Sequence, residues 1–315
     1  MTDALLDPAV LFFVLGIGAG LLRSNLEVPQ PVVRWLTLYL LMAVGLKGGF
    51  TLARSGIDAD AAAALGASLV MALLVPLIAF AAFRLVTSVL QAGALAASYG
   101  SVSVVTFVAA TQHLQQNAVS FSGTMSVALV IMEMPAVLLG IALARRGDAG
   151  AQATPWGHLL KDSARDGAPL LLMGSLLIGW VTGERGATVM EPFSGDLFKG
   201  MLALFLLQMG LDVARRFGDL RGLSPWLLVL ALVIPLAAAT TAMGLGTLLG
   251  LGAGDLALLA TLSASASYIV APAVLRHALP DASPALYLGL PMALTFPFNL
   301  LIGIGLYASV ARALA

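Results

Sequence analysis

The chain has 315 residues, of which 60% are hydrophobic and 10% charged, and its 16 basic and 16 acidic side chains cancel. A mean hydropathy of +0.98 marks a polytopic membrane protein, and a balanced charge leaves no basic footprint for a nucleic-acid partner. With no cysteine, disulfide frameworks, thiolate catalysis, iron–sulfur clusters and thiolate zinc sites are excluded.

Apolar runs long enough to cross ~30 Å of hydrocarbon predict ten spans, near residues 8–22, 32–52, 59–85, 89–112, 119–144, 167–183, 197–214, 224–250, 255–277 and 285–311. The expected fold class is therefore an all-α polytopic membrane protein. The first run lacks the basic n-region of a signal peptide, so it is expected to be a span and not a cleaved leader. In the second run Lys47 follows Val44-Gly45-Leu46, and it is expected either to snorkel to the interface beside Gly48-Gly49 or to line an anion vestibule.

The fourth run carries Ser98-Tyr99-Gly100-Ser101-Val102-Ser103-Val104-Val105-Thr106, a poor helix centre because Gly100 holds helical dihedrals weakly and Val and Thr prefer extended backbone. The fifth run places Glu133 between long apolar flanks. An acid at that depth costs ~2.5–3.5 kcal/mol, so a bound cation, a transferred proton or a donor side chain should compensate it. The polar stretch at 147–165, with Pro155 and His158, reads as a short cytoplasmic linker. In the seventh run Asp212 is expected to pair with Arg215 or Arg216 one turn on. The ninth run carries Ser263-Ala264-Ser265-Ala266-Ser267-Tyr268-Ile269-Val270-Ala271-Pro272, and Pro272 both lacks a donor and pushes Ala271 from the α region. The tenth offers Thr295, Pro297 and Asn299.

A shift of 165 positions lays Val44 to Lys47 on Met209 to Asp212, and Ser98 to Val105 on Ser263 to Val270 without a gap. Residues 1–146 and 166–315 therefore read as two copies of a five-span unit. Five is odd, so the second copy enters the bilayer inverted, an arrangement that marks secondary transporters. If the N-terminus is outside, eleven basic residues fall on the cytoplasmic side and five outside, which favours both termini outside an inner membrane.

Breaks at equivalent places in spans four and nine predict one shared cavity, because unwound backbone in lipid survives only beside protein or a polar cavity. Two half-helix N-termini supply about one positive charge, which one monoanion neutralises. The expected substrate-binding residues are Gly100, Ser101, Val102, Ser103, Ser265, Ala266, Ser267 and Tyr268. The expected cation ligands are Thr106, Glu133, Ser263, Thr295 and Asn299, since a hard monovalent cation prefers oxygen. The competing reading is that such small residues only let helices pack closely. His113, His158 and His277 are too scattered for a transition-metal site or a catalytic pair, so no enzyme is expected; a passive anion channel is the alternative.

Five segments carry a resemblance: Val44 to Gly49; Tyr99 to Ser103 with Thr106; Met132 to Ala136; Leu197 to Leu202 running to Leu211; and Ser263 to Arg276 leading to Pro284, Tyr287 and Gly289. Together they resemble the sodium-dependent bicarbonate transporter family, the SbtA-type permeases, as a divergent member unlike the cyanobacterial group. The resemblance implies Na⁺-coupled symport of bicarbonate, a homotrimer, and a moving core of spans three to five and eight to ten against a gate of the remainder. It assigns Gly100, Ser103 and Thr106 to a Gly-x-x-Ser-x-x-Thr pattern, Ser265 and Ser267 to a serine run, and Glu133 to the place of an Asp. Tyr268 stands where the cyanobacterial pattern has an acid and Val270 where it has a hydroxyl, so another small anion, coupled to a cation or a proton, is the alternative. A PII-like signalling partner is a further implication, against which the short linker counts.

Overall fold

The computed structural model describes residues 7–56, 59–146 and 167–315. The expected linker at 147–165, with His158, lies outside the described residues. Among those described, all regular structure is helical: α1 (Pro8–Leu21), α2 (Gln30–Ser55), α3 (Ala59–Phe83), α4 (Val89–Gly100), α5 (Val104–Gln116), α6 (Thr124–Arg145), α7 (Gly167–Glu191), α8 (Leu197–Arg216), α9 (Pro225–Leu248), α10 (Ala253–Ala264), α11 (Val270–Ala278) and α12 (Ala285–Leu314). Each expected apolar run falls on a helix or a broken helix pair.

Seven stretches are long and apolar enough to cross a membrane by length and composition alone. The stretch Leu170–Leu220 holds α7 and α8 together. It bends because Gly183 adopts φ 54°, ψ −136°, and a π-helical turn follows at Pro192–Asp196. α1 and α10 are shorter apolar helices.

Local chemistry sets the ends. Asp7 accepts from the Ala9 N–H at 2.7 Å with Pro8 in the first helical position, Ser88 accepts from Gln91 N–H at 3.3 Å, and Pro225 opens α9. Pro76 in α3 and Pro235 in α9 are buried inside their helices, where each leaves the carbonyl four residues earlier without its helical donor.

The helices form two groups. A panel pairs α2 with α7 and α1 with α8, and joins the pairs through α2 and α8. A bundle packs α3, α4 and α6 together, packs α9, α10 and α12 together, and sets α3 against α9. The panel contacts are backbone-close: a Cβ on Gly210 would lie 2.2 Å from Phe13 O, and one on Gly49 would lie 2.1 Å from Leu176 O. Small residues are how membrane helices approach each other, since apolar side chains gain nothing over lipid. Large apolar side chains of α1, α3, α7 and α9, among them Leu15, Leu73, Val181 and Val233, point outward as a surface for lipid to cover.

Gly210→Ala is expected to lower the thermal midpoint of the detergent-solubilised protein by an amount corresponding to about 1–3 kcal/mol of overpacking. Gly244→Ala, whose added Cβ meets nothing within 4 Å, is expected to leave it unchanged or slightly raised. Intrinsic tryptophan fluorescence against temperature reads both.

Candidate functional site

Two interrupted helices cross at the centre of the bundle, with α10 against α5 and α11 against α4. α4 ends at Gly100 because Ser101 is extended (φ −80°, ψ 168°), and α10 ends at Ala264 because Ser265 takes nearly the same angles (φ −80°, ψ 171°). Gly100 lies against Pro76, where a Cβ would sit 2.7 Å from the ring. Ser103 caps α5, its Oγ accepting from Thr106 N–H at 3.2 Å, whereas Ile269 holds the cap position of α11 and Ser267 Oγ, two residues before it, accepts from Ala271 N–H at 3.1 Å.

The unwound segments satisfy each other. Ser103 N–H donates to Ser265 Oγ at 2.9 Å, Ser265 Oγ–H donates to Leu262 O at 2.7 Å, and Ser267 N–H donates to Ser98 O at 2.8 Å. Ser103 Oγ–H donates to the Tyr268 hydroxyl at 3.2 Å, a bond between residues 165 apart in sequence.

A cavity of about 40 Å³ lies where the N-terminal turns of α5 and α11 meet, and it is lined by Val102 to Val105 from one break and Ser267 to Val270 from the other. Glu133 of α6 lines the same space, and Thr37, Leu40 and Leu41 of α2 with Phe205 of α8 close it. A water needs about 10–15 Å³ by this measure, so a small ion or a few waters fit. The panel residues carried no polar signal in the sequence. Leu40 and Phe205, however, lie one helical turn before Val44 and Met209, on the face that the 165-residue match marks.

Of the expected substrate residues, Val102, Ser103, Ser267 and Tyr268 line the cavity, whereas Gly100, Ser101, Ser265 and Ala266 lie behind it. Ser265 is a splint between the breaks. Of the expected cation ligands, only Glu133 lines the cavity. Thr106 is buried beneath the α5 cap. Thr295 and Asn299 have structural partners. Thr295 Oγ1 donates at 2.9 Å to Ala231 O, the carbonyl Pro235 releases, and sits 2.9 Å from the Tyr99 hydroxyl. Asn299 donates to Ala264 O at 2.8 Å, at the end of α10, and accepts from the Tyr307 hydroxyl at 3.0 Å. The buried hydroxyls of Ser98, Ser101 and Ser263 have no hydrogen-bond partner among the described residues.

Two larger spaces lie at opposite ends of the α2/α8 pair. One of about 420 Å³ joins Val44, Lys47, Phe50, Thr51 and Arg54 of α2 to Phe198 at the start of α8. The other, of about 510 Å³, joins Met209, Asp212, Arg215 and Arg216 of α8, with Asp219, to Gln30 and Val33 at the start of α2. α2 and α8 therefore run antiparallel. Lys47 lines the first vestibule, and its Nζ lies 4.3 Å from the centre of the Phe198 ring, a cation–π contact. Asp212 pairs with Arg215 at 3.5 Å, as its spacing predicts, and Arg216 pairs with Asp219 at 3.1 Å. The small cavity shares Thr37, Phe205, Tyr268 and Ile269 with the arginine-lined vestibule and no lining residue with the Lys47 vestibule.

Broken helices enclosing an ion-sized space inside an apolar bundle define the class of membrane transport proteins. The chain belongs to the Na⁺-dependent bicarbonate transporter superfamily, matched over residues 8–312. No curated protein matches it.

Asn299→Leu leaves the Ala264 carbonyl and the Tyr307 hydroxyl buried without partners, at about 1–3 kcal/mol for each such group. The expected result is a lower thermal midpoint with the Na⁺-dependent rise in midpoint retained. Loss of that rise would make Asn299 a cation ligand instead of a strut.

Proposed function

We propose that the protein is a Na⁺-coupled symporter of bicarbonate or a similar small monoanion, working by movement of the α3–α6 and α9–α12 bundle against the α1, α2, α7 and α8 panel. It spans an inner membrane ten times as two inverted five-span halves, residues 1–146 and 166–315, joined by a linker at 147–165, with both termini outside and a homotrimeric assembly.

The observation that carries this reading is the presence of Glu133 and both N-terminal helix turns around one cavity. Each turn contributes about half a positive charge, so together they neutralise one monoanion. A cation bound beside the Glu133 carboxyl group adds positive potential to the same space. Binding of each ion then raises affinity for the other, and by linkage the effect is reciprocal. The buried, unpartnered hydroxyls of Ser98, Ser101 and Ser263 are further oxygens for the cation, and Ser98 and Ser263 occupy equivalent positions in the two halves.

The inverted halves draw support from geometry. Shifting Val44, Lys47, Phe50, Thr51 and Arg54 by 165 gives Met209, Asp212, Arg215, Arg216 and Asp219, so equivalent positions line vestibules at opposite ends. Ser103 and Tyr268, also equivalent, bond to each other, as residues on a two-fold axis do. Contact of the cavity with one vestibule alone favours alternating access over a passive anion channel, which needs a path to both ends. By the charge count the arginine-lined vestibule is the cytoplasmic one.

In proteoliposomes, an inward Na⁺ gradient is expected to accelerate uptake of labelled bicarbonate, with countertransport of unlabelled bicarbonate; equal uptake with and without the gradient overturns the coupling. Glu133→Gln is expected to flatten the Na⁺ dependence at constant pH. A variant with normal Na⁺ activation removes Glu133 from the cation site.

A further inference from the structure

Thr106 N–H, in the first turn of α5, donates to Ser103 Oγ, and Ser103 Oγ–H donates to the Tyr268 hydroxyl, each at 3.2 Å. Ser103 thereby uses both its acceptor and its donor. Tyr268 accepts, and its own phenolic proton has no acceptor among the described residues. The side chain is buried, at 7% exposure. The ring is held by Phe296 at 5.3 Å between centroids, and Phe296 in turn meets Phe13 edge-on at 5.4 Å. Tyr268 lines both the small cavity and the arginine-lined vestibule.

Each donor in this chain is polarised by the one before it, and the chain starts at a helix N-terminus, so the phenolic O–H extends the field of α5 into the cavity. A dipole field acts on charge alone and does not distinguish one monoanion from another. Much of the remaining wall is aliphatic or aromatic: Leu40, Leu41, Val108 and Phe205. An apolar wall favours whichever anion sheds water most easily, which is a halide over bicarbonate. A fixed donor reverses that preference, because a carboxylate-type oxygen is the stronger hydrogen-bond acceptor.

We propose that Tyr268 is the selectivity residue: its O–H, oriented by Ser103, hydrogen-bonds an oxygen of the bound anion and makes the site prefer carboxylate-type oxyanions to halides. The assignment rests on the anion reading of the cavity.

Tyr268→Phe keeps the ring and removes the donor. In proteoliposomes the variant is expected to raise the KM for bicarbonate and the inhibition constant for formate about tenfold or more, the loss of one hydrogen bond to a charged acceptor. The inhibition constant for chloride is expected to rise several-fold less than that for formate, because chloride is the weaker hydrogen-bond acceptor, and the half-saturating Na⁺ concentration is expected to stay within about twofold of wild type. Ser103→Ala, which frees the phenol to rotate, is expected to shift the formate-to-chloride ratio in the same direction. An unchanged ratio in Tyr268→Phe overturns the proposal, and so does an equal weakening of every ion, which would mean that the phenol only organises the breaks. If wild type takes up no bicarbonate, the symport reading fails separately. The thermal shifts that formate and chloride produce in wild type and Tyr268→Phe, measured in detergent with Na⁺ present, then decide selectivity: wild type stabilised more by formate and the variant not is the supporting result, and equal shifts in both overturn it.

Discussion

Backbone amides and carbonyls that leave a helix inside an apolar bundle must find partners, because no bulk water reaches them and each orphan costs as much as the burial of a whole side chain returns. Much of the centre of this protein follows from that constraint. Each break supplies what the other lacks: the Ser265 hydroxyl takes the Ser103 amide, and the Ser98 carbonyl takes the Ser267 amide. Asn299 takes up the carbonyl at the end of α10, and Thr295 the one released by Pro235. What is left over after these pairings is the chemistry offered to a ligand, chiefly the first amides of α5 and α11, the phenolic proton of Tyr268 and a few buried hydroxyls.

The cavity wall joins two helix N-termini, a source of positive potential, to the carboxyl group of Glu133, and no basic side chain is among its lining residues. Positive charge drawn from fixed backbone brings no flexible side chain to desolvate or reorder, so capture of an anion by such a site carries little entropic cost. Basic side chains stand further out. Arg215 and Arg216 are paired with acids in the 510 Å³ vestibule, where Arg276 makes no ion pair among the described residues, and the 420 Å³ vestibule holds Lys47 over Phe198.

Antiparallel α2 and α8 present equivalent faces to opposite ends, yet the central cavity touches only one of the two vestibules. Near-equivalence of parts with inequivalence of access is the relation expected of a two-state device caught in one state. The proposed sliding motion requires a rigid side, and the backbone-close panel contacts at Gly210 and Gly49 fit that requirement.

Composition and local pattern were enough to establish a helical membrane protein, the positions of its apolar runs, the 165-residue self-match and the two places where helices fail, because each depends on residues within a few positions of one another. The interruptions themselves are shorter than the runs suggested: Gly100 closes α4, Val104 to Thr106 open α5, and Ala271 and Pro272 lie in the first turn of α11, where a missing donor costs nothing. The sequence offered Asp212 either Arg215 or Arg216, and Arg215 is its partner. The partners of the hydroxyls and the amide came only from the fold. Ser265, Thr295 and Asn299 stand in the sequence as candidate ligands, and the structure gives each a hydrogen-bond partner 35 to 196 positions away. Thr37, Leu40, Leu41 and Phe205 close the cavity with a single side-chain polar atom among them, and Lys47 stands over an aromatic ring far from it in sequence. Local preference says where a chain will unwind; which long-range neighbour meets the exposed groups is decided by how helices cross, and that is a property of packing.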